Sequence, residues 1–154
     1  MRGLVSGLCL LVTLLAALAA RAGQVGAEPS APDGHLLLLV EGDAQALFVT
    51  TIVAKSESWS ERSERSDTQV LVRDAEGKVL GQYPLDLSHF DLDPARVGMR
   101  ARVDGCVVKE TKVSIICSVP RWKEARVLEI RSGERLLGSV GAQRYAELVA
   151  AGVR

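Results

Sequence analysis

The 154-residue sequence predicts an all-β domain of seven or eight antiparallel strands in two sheets, followed by a short C-terminal helix. Three observations carry this expectation. Apolar residues between His35 and Val140 come in runs of strand length that stop at Gly, Pro or Asp. The runs fall into pairs separated by turn-forming residues. A single stretch near the C-terminus has the three-and-four spacing of a helix.

Residues 1–27 precede this pattern and read as a cleaved export signal. Met1-Arg2 supplies a positive end, Leu4 to Ala20 an apolar run broken by Ser6 and Thr13, and Ala20-Arg21-Ala22 and Val25-Gly26-Ala27 two small-residue cleavage motifs. The run is short for a membrane span of about 20 residues, so no span is expected after cleavage. Cys9 lies inside the run instead of after it, which argues against a lipoprotein signal and sends this cysteine away with the peptide. The expected destination is the periplasm or the exterior. Cleavage takes Arg2 and Arg21 from 19 basic side chains and nothing from 19 acidic ones, leaving a net charge of about −2. That balance offers no global attraction to nucleic acid. The sequence contains no Asn, so N-linked glycosylation is excluded.

Glu28 to Gly34, with Pro29 and Pro32, reads as a flexible leader, and residues 35–154 as one domain. His35 to Val40 and Ala46 to Lys55, separated by Glu41-Gly42-Asp43, form the first expected hairpin. Thr68 to Asp74 and Lys78 to Tyr83, joined by Ala75-Glu76-Gly77, form the second. A third is read over Arg102 to Val119, with a two-residue loop at Thr111-Lys112 that places Cys106 opposite Cys117 and Val108 opposite Ile115. In an oxidising compartment this pair is expected to form a disulfide, with a loop-closure contribution of about 3 kcal/mol. Two free thiols, or half of a zinc shell, are the alternatives. Val127 to Arg131 and Arg135 to Gly138, around Ser132-Gly133-Glu134, echo the second hairpin. Ser139 to Gly152 is the expected helix, with Ala142, Tyr145, Leu148 and Val149 on one face and Gly152 at its stop.

The strand pattern from His35 to about Val140, with the hairpin Val70-Leu71-Val72-Arg73-Asp74-Ala75-Glu76-Gly77-Lys78-Val79-Leu80-Gly81, resembles immunoglobulin-like and fibronectin-III-like domains. The likeness is to the small β-sandwiches that accompany secreted bacterial proteins, and it implies two sheets packed face to face. The antibody-type Cys, Trp, Cys spacing is missing, because Cys106 and Cys117 are too close in sequence and Trp59 precedes both. No functional residue carries over.

Two stretches stand out as candidate sites. Asp86, Asp91 and Asp93, with Ser88 and His89, could supply oxygens to calcium if the loop curled, although no EF-hand spacing is present. The competing reading makes Asp93-Pro94 the cap and first position of a helical turn. The polar block from Ser56 to Asp67 holds Trp59, Arg62 and Arg65, and Trp122 lies in a comparable polar setting. Each tryptophan either folds over the core or serves as a contact residue. His35 and Ser88-His89 lack triad geometry, and no Walker, dinucleotide or nucleophile-elbow motif appears. The expectation is a non-enzymatic module without a cofactor that binds a protein or glycan. A small calcium- or carbohydrate-binding module is the alternative, and a hydrolase with an unrecognised site the third reading.

Overall fold

The computed structural model describes residues 30–60 and 66–152. The expected export signal, Arg62 and Arg65 lie outside the described residues. Among the described residues, nine strands and one α-helix follow in order: β1 His35–Asp43, β2 Leu47–Lys55, β3 Thr68–Arg73, β4 Val79–Pro84, β5 Arg102–Asp104, β6 Val107–Lys109, β7 Lys112–Pro120, β8 Val127–Ser132, β9 Arg135–Val140 and α1 Ala142–Ala151. They form a three-stranded sheet ordered β2-β1-β7, a four-stranded sheet ordered β4-β3-β8-β9, and the separate pair β5-β6, with antiparallel neighbours throughout.

Local chemistry explains the hairpins. The Asp43 carboxylate accepts the amides of Gln45 and Ala46, which folds β1 back into β2. The Asp74 carboxylate does the same for Glu76 and Lys78, and Gly77 supplies the positive φ of 83° that the turn requires. Burial alternates along most of β1. Leu36, Leu38 and Val40 point inward from β1, while Leu37 and Leu39 face outward and are half-buried. Side chains from both large sheets, among them Leu38, Ile52, Val70, Val72, Val119, Leu128 and Ile130, join one buried cluster. Each such side chain contributes about 1.5–3 kcal/mol of burial free energy. On β9, Gly138 lies against the Leu47 carbonyl of β2 with no room for a Cβ, and Arg135 donates to the Ala44 carbonyl.

The two echoing hairpins share one sheet, with β3 and β8 antiparallel at its centre. Val72 faces Gly81 in the first hairpin as Ile130 faces Gly138 in the second. Across the centre Val70 faces Ile130 and Val72 faces Leu128, so the two hairpins are related by a local twofold through Leu71 and Glu129. Arg73 and Arg131, equivalent by that relation, both pair with Glu129 at 3.1 and 2.9 Å.

The expected helix forms, but over Ala142–Ala151: Ser139 and Val140, read as its start, complete β9, and Ala142 is exposed. Tyr145 and Leu148 are its buried residues, it packs on β2 and β8, and the Gly152 amide closes its end on the Leu148 carbonyl. A side chain at Gly152 would meet the backbone of Ile52, so glycine is required there by proximity. Among the described residues no helix is long and apolar enough to cross a membrane.

The hairpin read over Arg102 to Val119 is corrected. The chain turns at Gly105-Cys106, pairing Val103 with Val108, because Gly105 takes a left-handed φ of 63° that Thr111 and Lys112 do not adopt. β7 instead pairs with β1 over nine positions, bringing Cys117 opposite Leu38 and Ile115 opposite Val40. Cys106 sits exposed in the β5-β6 turn and Cys117 half-buried in β7, both as free thiols. The expected register for a Cys106–Cys117 disulfide is therefore not formed.

Candidate functional site

The Asp86–Asp93 loop does not gather its carboxylates. Asp86 accepts the Ser88 amide at 2.9 Å, and Asp93 caps a single 3₁₀ turn, Pro94–Arg96, by accepting the Ala95 amide at 2.9 Å. Asp91 is buried and paired with Arg96 at 2.7 Å and Arg102 at 3.2 Å. Burial would raise its pKa, but the Asp93 amide and the two guanidiniums outweigh that and hold the carboxyl below its usual range. A carboxylate already neutralised by two arginines makes a poor cation ligand, so the calcium site proposed on Asp86, Asp91 and Asp93 is corrected to a capped, ion-paired loop. Among the described residues no group of three or more His, Cys, Asp or Glu side chains could hold a metal ion.

The tryptophans converge on a residue that sequence reading passed over. Trp59 meets Tyr83 edge-on, with ring centroids 5.2 Å apart and planes at 75°. Trp122 donates its indole N–H to the Tyr83 hydroxyl at 2.9 Å. Two strand positions earlier, Gly81 lies under the Tyr83 ring, where a Cβ would collide with the hydroxyl and ring carbons. That pattern, a glycine two residues before an aromatic on one strand face, was the available sequence signal for Tyr83. Both tryptophans are half-buried and packed against the core.

Beside this aromatic group lies a cleft of about 330 Å³ between β7 and the chain that continues from β4. It is lined by Ile115, Ile116, Cys117 and Ser118 of β7, Leu37 of β1, Tyr83 and Pro84 of β4, Leu85, Asp86 and His89 beyond it, and Trp59 and Ser60 from the crossover after β2. The Trp59 indole N–H donates to the Ser118 carbonyl at 3.4 Å, tying the crossover after β2 to the end of β7. The Ser88 amide and hydroxyl, with a smaller contribution from His89, hold the Asp86 carboxyl below its usual range, so the rim carries a negative charge at neutral pH.

The cleft thus brings together Trp59, Asp86 and Cys117, leaves Trp122 behind Tyr83, and excludes Asp91, Asp93 and Cys106 from its lining. A cysteine, a histidine and an aspartate line one cavity, yet the thiol is unsuited to attack. Burial pushes the Cys117 pKa up to about 12, which keeps it protonated at neutral pH. His35 is occupied elsewhere, with Nδ1 2.9 Å from the Glu57 carbonyl.

No protein-family profile, curated protein or solved structure matches this chain.

Proposed function

We propose that the chain is an exported, non-enzymatic binding module of immunoglobulin-like sandwich design, and that the Trp59–Tyr83 cleft is where it holds a partner macromolecule. The observation that carries this reading is the cleft itself. Its aromatic and aliphatic lining, with one rim charge, is a concave apolar surface carrying a few polar groups, the composition of a recognition site. The protonated state of Cys117 supports binding over thiol chemistry. Export rests on the N-terminal pattern of a charged end, an apolar run and small-residue cleavage motifs.

The test is recovery of the tagged protein from periplasm or culture medium, with co-purifying partners and a glycan array compared between wild type and Trp59→Ala. Loss of a partner or glycan signal in the variant, with unfolding unchanged, supports the cleft. A partner held equally well by both proteins, or no signal with either, would sink it.

A further inference from the structure

Resting on that reading of the cleft, we propose that its occupant is an extended segment of another polypeptide that adds as a further strand to the free edge of β7. The Ser118 carbonyl accepts the Trp59 indole N–H, so the backbone of Ser118 faces away from β1. Both backbone groups of a residue in an antiparallel strand point to the same side, and the side alternates along the chain. Ser114 and Ile116 therefore present their N–H and C=O groups to the same free edge. Just beyond the strand, the Arg121 amide donates to the Gly34 carbonyl, and the Arg121 carbonyl accepts the Asp33 amide. Odd-numbered positions thus face the β1 side, as the alternation requires.

Among the described residues β7 pairs with β1 alone. That pairing runs without a bulge; β7 carries Lys112 and Pro120 at its two ends, and Val113 to Val119 between them contains neither charge nor proline. Charges, prolines and bulges are the devices by which edge strands discourage further pairing. Their confinement to the ends of β7 leaves the stretch from Ser114 to Ser118 open to a strand. Side chains from both faces of β7, Ile115 and Cys117 from one and Ile116 and Ser118 from the other, line the cleft. Ile116 is 68% exposed.

The chemistry of the incoming segment follows. Ser114 to Ser118 spans roughly 13 Å at about 3.3 Å per residue, so the segment is short and extended. Its backbone would bond Ser114 and Ile116. Its inward side chain, aliphatic or aromatic, would lie against Tyr83, Leu85 and Ile115. The ionised Asp86, which also lines the cleft, favours a Lys or Arg in the segment.

The test uses a displayed library of random heptapeptides selected on the purified exported protein. Enriched peptides are synthesised with and without N-methylation at alternate backbone positions. Calorimetry measures them against wild type, Ile116→Pro, Ile116→Ala and Trp59→Ala. Proline at 116 deletes an edge N–H that does not bond β1, so the fold should persist, as circular dichroism would establish. We expect alternating apolar sequences with a basic residue. Binding should fall at least about tenfold for one N-methylated set and for Ile116→Pro, with Ile116→Ala far milder. No enrichment, or equal binding by the methylated peptides, overturns strand addition even if the proline variant misfolds. Peptides lost with Trp59→Ala but indifferent to N-methylation and Ile116→Pro leave the cleft as the site and refute the strand. Peptides indifferent to Trp59→Ala refute the cleft reading itself. A dimer abolished by Ile116→Pro, with no peptide enriched, assigns the edge to a second copy and also overturns the proposal.

Discussion

Tyr83 supports the candidate site at the level of single atoms. Its hydroxyl accepts the Trp122 indole N–H, its ring meets Trp59, and its place over Gly81 leaves no space for a side chain beneath it. Tyr83→Phe removes the acceptor and keeps the ring, so the half-buried indole N–H loses its partner. The expected cost is about 1 kcal/mol in urea unfolding, with a change in tryptophan emission. Gly81→Ala should disturb the site more, because the added methyl displaces the ring itself. The two thiols differ as sharply. Cys106 is exposed in a turn, whereas burial raises the pKa of Cys117 to about 12. Alkylation of the folded protein at pH 8, mapped by mass spectrometry, should label Cys106 and spare Cys117 until denaturant is added. Protection of both in the protein isolated from its exported state, relieved by a reductant, would contradict the free thiols.

At the level of elements, the excursion between β4 and β7 hangs on Asp91. The carboxylate pairs with Arg96 from the 3₁₀ turn and Arg102 from β5, and the Asp91 amide donates to the Glu110 carbonyl at 2.7 Å. The β5-β6 pair otherwise stands apart, with Val103, Val107 and Val108 exposed. Asp91→Asn removes the counter-charge of two arginines and should raise proteolysis and amide exchange over residues 94–110 while β1, β3 and β8 stay protected. The pH dependence has a definite sign. Because the folded pKa is depressed, the stabilisation is present in full above the ordinary carboxylate pKa and is lost as pH falls through the lower folded value. Protection in the excursion, measured relative to the intrinsic exchange rate at each pH, should therefore fall only at acid pH in the wild type, and be low already at neutral pH in Asp91→Asn. These same elements separate what the sequence discloses from what it does not. The β1-β2, β3-β4 and β8-β9 hairpins were legible because Asp43, Asp74, Gly77 and Gly133 carry their turns locally, although Glu41 and Gly42, read as part of the first turn, lie in β1. The alternation from Arg102 to Val119 looked equally local. It was misread because β7 takes its partner, β1, from the far end of the domain, and no spacing rule records that choice. The cleft was half legible for the same reason. Trp59 stood out by composition, but the cleft it lines exists only once β7 and the end of β4 come together.

For the whole molecule, the decisive question is whether the two larger sheets act as one body. Buried side chains from both join a single cluster, and a glycine marks one place where they touch: a Cβ on Gly138 would strike the Leu47 carbonyl of the other sheet. The obstacle is backbone, so no rotamer change relieves it, and the sheets must shift or separate. Gly138→Ala should cost about 3 kcal/mol, the upper end of the usual range for overpacking. Gly141→Ala is the control, since a Cβ there meets nothing within 4 Å and its φ of −73° suits any residue. Gly141 is the N-cap of α1, where alanine is less favoured than glycine, so the control should cost no more than about 1 kcal/mol. Urea unfolding should be followed by far-ultraviolet circular dichroism, which reports all strands, and by fluorescence of Trp59 and Trp122, which lie around Tyr83 away from the glycine contact. If one core spans both sheets, the two signals coincide in wild type and move together to lower urea in Gly138→Ala. A fluorescence transition that stays in place while the circular dichroism moves would mean that the sheets unfold separately. The cleft at the β7 edge would then have no fixed shape, because its lining comes from both sheets.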